Sequence, residues 1–284
     1  MPKTRTVAGK VVAVTGGARG IGRAVAAALA AEGAAVAIGD VDAQTAENTA
    51  KEIGRGVLAL PLDVSAPASF ERFLDEVERR LGPLDVLVNN AGIMLLGRFV
   101  DESQDSARRM VDINLHGVII GSRLALQRML PRRSGHLVNI ASQAGRVPAA
   151  GGATYTATKH AVVGLSETIR QEVRGSGVEV TCVLPAPVNT DLAAGLGRTR
   201  GVPTVQPEEV AAAVRQALVR PRFEVFVPKS MGLLINSGHV LPRRVRERVA
   251  RVLGSNELFG NADMAARAGY EERAAHSTGS DRAP

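Results

Sequence analysis

Short apolar runs rich in β-branched residues alternate along the chain with longer stretches in which apolar positions recur every three or four residues. Val11–Thr15, Ala35–Asp40 and the runs over 56–62, 84–89, 136–141, 178–184 and 224–228 fit buried strands, seven in all. Between them the spacing predicts helices from after Gly22 to about residue 31, and over 42–53, about 103–131, about 152–174 and 207–219. A further helix carries Phe70, Phe73, Leu74, Val77 and Leu81 on one face. Strands separated by helices of this length require right-handed crossovers, which predicts an α/β fold with a parallel sheet covered on both faces. After residue 228 the alternation stops. Residues 1–230 are therefore expected to form one domain, 231–275 a helical C-terminal extension packing on or near it, and 276–284 a disordered tail.

The 284 residues suffice for one large domain or two small ones, and a hydrophobic content of 45% places the chain among globular proteins. Its one cysteine, Cys182, excludes an internal disulfide framework and any multi-cysteine metal site, and reads as a buried small hydrophobe. The five histidines (116, 136, 160, 239 and 276) show no metal-ligand spacing. The first residues are polar and resemble no leader sequence. The most apolar long stretch, 24–41, is interrupted by Glu32 and Gly33, so no membrane span is expected and the cytoplasm is the expected compartment. The net charge of +7 raises the question of nucleic acid. However, the arginines that supply most of it are scattered, aromatics are 3%, and Trp is absent, so no nucleic-acid partner is expected. Segment 241–253 gathers Leu241, Val245, Val249 and Val252 on one face and five arginines largely on the others. Docking on its own or a neighbouring subunit is the expected role, ahead of contact with an anionic membrane surface or an acidic partner.

Candidate chemistry starts at the first strand-to-helix turn, Thr15-Gly16-Gly17-Ala18-Arg19-Gly20-Ile21-Gly22. Glycines there let the backbone approach a pyrophosphate lodged on the free N–H groups of the following helix. The second strand ends in Asp40, placed to accept hydrogen bonds from adenosine ribose hydroxyls and to repel a 2′-phosphate. Arg19 could contact such a phosphate; the carboxylate argument outweighs it, and NAD is expected with NADP as the alternative. Asp63 and Val64 end the third strand, and Asn89-Asn90-Ala91-Gly92 end the fourth. Both groups fall on the side where ligands bind such sheets. Tyr155 and Lys159 lie one turn apart on one helix face, where an ammonium is expected to lower the phenol pKa and fit the pair for proton transfer to or from an oxygen. Ser142 follows the fifth strand, and Asn114 interrupts a helical pattern, where it is expected to hold water or bend the helix.

The run TGGARGIG, the NNAG tetrapeptide, Asn114, Ser142 and the YTATK pentapeptide, in this order and spacing, resemble the short-chain dehydrogenase/reductase family over about residues 7–230. The resemblance implies a Rossmann-type doubly wound sheet and hydride transfer between a nicotinamide cofactor and a secondary alcohol or ketone. It implies Tyr155 as acid/base, with Lys159 tuning it and reaching the nicotinamide ribose. Ser142 would orient the substrate oxygen, and Asn114 would hold a water that links Lys159 to solvent. It further implies cofactor contacts from Gly16, Ala18, Arg19, Gly20, Ile21, Gly22, Asp40, Asp63, Val64, Asn90, Ala91 and Gly92. The Pro185-Ala186-Pro187-Val188-Asn189-Thr190 segment is similar to the family's P-G-x-V-x-T, adding Pro185, Val188 and Thr190, the last at the carboxamide. Ala186 departs from the usual Gly. A hydrophobic substrate is expected, from Met94, Leu95, Leu96, Val147 and Leu192, under a loop over 191–206. A homotetramer or homodimer is expected. The alternatives are an NADP-dependent reductase of ketones or carrier-bound acyl groups, and a non-catalytic nucleotide-binding scaffold.

Overall fold

The computed structural model describes residues 5–197, 203–240, 244, 248, 259–260 and 262–276. Seven strands, β1 (Val11–Thr15), β2 (Ala35–Asp40), β3 (Leu58–Pro61), β4 (Val86–Asn89), β5 (Gly135–Ile140), β6 (Val178–Pro185) and β7 (Glu224–Val227), form one sheet in the order β3-β2-β1-β4-β5-β6-β7. Every pairing is parallel. The order reverses between β1 and β4, and the crevice at the carboxyl ends of these strands is where such sheets take ligands. β1 shows why the sheet is buried on both sides. Val12 and Val14 join one apolar cluster with Val25, Leu29 and Val214, whereas Val11 and Ala13 join another with Phe70, Leu74 and Met129.

The first cluster is covered by α1 (Gly20–Ala31) and α7 (Pro207–Val219), the second by α3 (Pro67–Leu81), α5 (Gly117–Met129) and α6 (Ala153–Glu172). Strand β3 is shorter than expected, because Gly54, Arg55 and Gly56 all adopt positive φ and keep the chain in a turn until residue 57. The expected helix over 103–131 is divided into α4 (Gln104–Val111) and α5 by a π-helical turn, Asp112–His116, centred on Asn114. Beyond β7, α8 (Lys229–Val240) and α9 (Met264–His276) belong to the C-terminal extension. Apart from Arg244 and Arg248, the basic segment 241–253 lies outside the described residues, as do 198–202 of the loop over 191–206 and 277–284 of the tail. Among the described residues no helix is long and apolar enough to cross a membrane, and no cluster of His, Cys, Asp and Glu could hold a metal ion.

Candidate active site

A cleft of about 1970 Å³ opens along the carboxyl ends of the strands. Its first wall is the turn between β1 and α1, where Gly16 and Gly20 adopt φ of 64° and 53°. Asn90, just past β4, braces this turn: its Nδ2 donates to the Thr15 and Gly16 carbonyls at 2.9 and 3.0 Å. Thr15 Oγ1 in turn accepts from Asn90 N and Ala91 N. Helix α1 starts with no side-chain cap and no acid in its first turn, whereas α2 (Ala43–Ile53) is capped by Asp42. The first-turn N–H groups and the positive end of the α1 dipole are thus available to an anion lying against Gly20 and Ile21, which line the cleft. Together with the glycine bend, this fits a phosphate-bearing ligand. Gly22 contributes by its smallness: a Cβ there would lie 2.1 Å from the Gly16 carbonyl oxygen and 2.7 Å from Asn90 Nδ2. Gly22→Ala is therefore expected to weaken NADH binding at least about tenfold and to cost roughly 1–3 kcal/mol of stability. Fluorescence titration and denaturant unfolding measure the two effects, and affinity within twofold of wild type would contradict this account of the turn.

Asp40 lies where β2 meets the cleft. Its Oδ2 accepts from Ala18 N at 3.0 Å and its Oδ1 from Asp42 N at 3.1 Å, leaving a further lone pair on each oxygen. Burial pushes this carboxyl above its ordinary value, against the opposing effect of the two backbone bonds and of Arg19. Arg19 itself is turned to Asp42, with Nη2 at 2.5 Å from Oδ2 and 2.9 Å from Thr45 Oγ1. Ala91 and Gly92 line the cleft after β4, as do Pro185 at the end of β6 and Val188 and Thr190 beyond it. The Thr190 methyl faces the first turn, 3.1 Å from where a Cβ on Gly20 would be.

Four expected site residues do not line the cleft: Gly22, Asp63, Val64 and Asn114. Asp63 folds into a turn instead, its Oδ1 accepting from Ser65 N and Ser65 Oγ at 2.9 and 2.6 Å. Val64 packs against Gly117, with Cγ2 2.9 Å from where a Cβ would stand. Of the apolar candidates, Met94, Val147 and Leu192 line the cleft; Leu95 and Leu96 belong to the cluster around Ile93, Met110 and Phe259.

Tyr155 and Lys159 project from α6 toward Ser142 at the end of β5, and all three line the cleft. The Ser142 hydroxyl accepts from Ala144 N at 3.1 Å and stands beside the Tyr155 phenol, whose pKa it acts to lower. Lys159 Nζ donates to the Ile140 carbonyl at 3.0 Å and lies 5.7 Å from the centroid of the Tyr155 ring. The buried Asn114 forms a reciprocal pair with Ile93, accepting from its N–H and donating to its carbonyl, both at 2.8 Å, and also donates to Thr158 Oγ1 at 3.3 Å. One lone pair of its amide oxygen and the irregular backbone of the π-turn are what remain for a water. The side chain's main work is to fix the segment after β4 against α6.

The electrostatics differ from the expectation for Tyr155. Burial pushes its phenol up to about 12, with the neighbouring Ser142 hydroxyl acting the other way. Burial likewise brings Lys159 down to about 8. The reason is geometric: the ammonium is directed at a backbone carbonyl, so desolvation outweighs its attraction for a phenolate. The phenol is thus a proton donor as it stands.

Sequence reasoning missed the C-terminal contribution. Phe259 meets Tyr155 edge to face, with ring centroids 6.0 Å apart, and Tyr270 Oη accepts from Met94 N at 2.8 Å; both line the cleft. The signal available was rarity, because the chain has only two tyrosines and six phenylalanines.

The family model described as short chain dehydrogenase matches residues 10–201. The chain is 39% identical over 191 residues to the probable oxidoreductase EphD of Mycobacterium tuberculosis, a match covering 66% of this chain and 32% of that protein. The chain thus spans about a third of the length of this mycobacterial relative. It is 33% identical over 214 residues to an uncharacterized oxidoreductase of Staphylococcus aureus, covering 75% of this chain and 92% of that one. A short chain dehydrogenase/reductase from Burkholderia phymatum, solved in complex with NAD, superposes with a TM-score of 0.76 at 26% identity, covering 83% of this chain and 94% of the other.

Proposed function

Because the chain belongs to the short chain dehydrogenase family, we propose that it transfers hydride between NAD and a secondary alcohol or ketone with a hydrophobic substituent. The observation that carries this reading is that Ser142, Tyr155 and Lys159 line the same cleft as the uncapped glycine turn and Asp40. The dinucleotide, when bound, supplies the hydride acceptor or donor. Gly16, Ala18, Gly20 and Ile21 would hold its pyrophosphate, Asp40 its adenosine ribose, and Asn90, Gly92, Val188 and Thr190 its nicotinamide half. In ketone reduction, the Tyr155 phenol gives its proton to the substrate oxygen as the carbonyl carbon gains hydride. In alcohol oxidation the phenolate takes that proton back. Ser142 orients the same oxygen through its hydroxyl. Lys159, near pH 7 and with a pKa of about 8, carries a positive charge that stabilises the transient phenolate.

NAD is favoured over NADP because a 2′-phosphate would face Asp40 and would have to compete with Asp42 for Arg19. The wild-type protein is expected to bind NADH at least about tenfold tighter than NADPH, and Asp40→Ser to narrow that ratio. Calorimetric titration of both cofactors checks it, and tighter binding of NADPH would reverse the assignment. The activity itself is tested by a panel of secondary alcohols and their ketones with both cofactors, read by nicotinamide absorbance. Turnover with NAD is expected. Absence of turnover in either direction by a protein that binds NADH would favour the scaffold alternative. The compartment proposed is the cytoplasm, and the assembly a homotetramer or homodimer.

A further inference from the structure

We propose that Phe259 and helix α9 form the substrate-side wall of the cleft, that Arg267 is the positioning residue that fastens this wall, and that the compartment takes an uncharged, extended apolar ligand. The proposal rests on the oxidoreductase reading for which end of the cleft is the substrate end.

Phe259 is 7% exposed, and its ring packs on the Tyr155 phenol side chain. It also fits against bare backbone: a Cβ on Gly152, the residue just before α6, would lie 2.7 Å from Phe259 Cδ2. Arg267 has no exposed surface. Its Nη2 donates to Met94 O at 2.7 Å, its Nη1 to Leu192 O and Ala194 O at 3.1 and 2.8 Å, and its Nε to Glu271 at 3.0 Å. One guanidinium thereby joins the loop after β4 to the loop after β6. Tyr270, with its ring 5.2 Å from that guanidinium, accepts from Met94 N, so α9 engages both backbone groups of Met94. Asp263 N donates to Gly195 O at 2.8 Å, and Arg273 pairs with Asp191 at 3.0 Å on the rim.

An arginine beside a substrate cavity ordinarily reads as an anchor for a carboxylate or phosphate. Here four of its five N–H groups have protein acceptors, and Glu271 meets its charge. Arg267 does not line the cleft; on this wall Met94, Leu192, Leu196, Phe259, Tyr270 and Ala274 do, together with the Arg273–Asp191 pair on the rim. Such a wall rewards buried methylene groups, and the cation on its rim, Arg273, is already paired with Asp191 rather than left for a charged tail.

The test uses the full chain saturated with NAD⁺ and a series of methyl ketones of increasing length, with ω-carboxylated counterparts, titrated by calorimetry. Ketone and oxidised cofactor do not react with each other, so the readout is binding alone. In the wild type each added methylene is expected to tighten binding roughly two- to fourfold until the wall is covered, and the ω-carboxylated counterparts to bind more weakly. Phe259→Ala and Arg267→Met are each expected to flatten that dependence. They should weaken the longest ketones about tenfold while leaving the shortest ketones and NAD⁺ within about twofold, a pattern that general loss of structure would not produce. Arg267→Lys, with fewer donors and no fork, is expected to restore it only in part. If Arg267→Met does not fold, Phe259→Ala decides. Chain-length-independent binding, preference for the carboxylated series, or variants that keep the wild-type dependence would overturn the proposal. Length-dependent binding without hydride transfer from NADH to any of these ketones would instead support the wall and count against the oxidoreductase reading.

Discussion

Replacing Tyr155 by Phe is expected to lower kcat about 10²–10⁴-fold, the usual contribution of a positioned acid, while NADH affinity stays within about twofold. The substitution removes one oxygen and its proton and keeps the buried ring that packs against Phe259. The pH profile should change as well. The wild-type phenol, pushed up to about 12, stays protonated through the neutral range, so the alkaline fall in ketone reduction is expected to begin near pH 8, where Lys159 loses the charge that stabilises the phenolate. Residual activity of Tyr155→Phe should lack that alkaline limb. Steady-state kinetics of the purified variant across pH checks both points, and near-normal turnover would remove Tyr155 from the chemistry.

Lys159→Met has two expected effects of opposite sign. Turnover should drop about 10²-fold or more, because no charge remains to stabilise the phenolate. Stability should rise. Lys159 holds its proton with a pKa of about 8 in the folded protein against an ordinary 10.5. The unfolded chain therefore binds that proton more tightly, and burying the lysine costs the fold most below pH 8, less as pH climbs toward 10.5 and nothing above it. At neutral pH that cost is up to about 3 kcal/mol. Loss of the Nζ bond to Ile140 offsets about 1 kcal/mol of the gain. A Tm a few degrees above wild type at pH 7, converging with wild type at alkaline pH, is the expected melting behaviour. A less stable, inactive variant would mean that the ammonium is well solvated or better paired than its surroundings indicate.

How much of this was legible in the sequence depends on how local each cause is. Strands β1 and β2 begin and end where the apolar runs do, because a buried parallel strand is a contiguous apolar string bounded by turn glycines. The glycine turn and the spacing of Tyr155 and Lys159 are likewise short-range patterns. Asn114 was visible as an anomaly in a helix, yet only the fold shows that its amide pairs with Ile93 and that the helix answers with a π-turn. Asp63 is expected to end the third strand but lies two residues past Pro61, the last residue of β3, and whether its carboxylate faces a ligand or Ser65 turns on side-chain geometry. Arg267 was illegible for a plainer reason. Its partner Met94 lies 173 residues away, and nothing in the composition around either residue specifies the other.

The account stands most directly on a crystal structure of the protein with NAD⁺. It predicts the pyrophosphate on the Gly20 and Ile21 N–H groups and the adenosine ribose on Asp40. The nicotinamide should face Tyr155 so that a carbonyl carbon about 3–3.5 Å from its C4 places the attached oxygen within hydrogen-bond reach of the phenol. A dinucleotide bound away from the glycine turn, or a nicotinamide with Tyr155 out of reach, would contradict it.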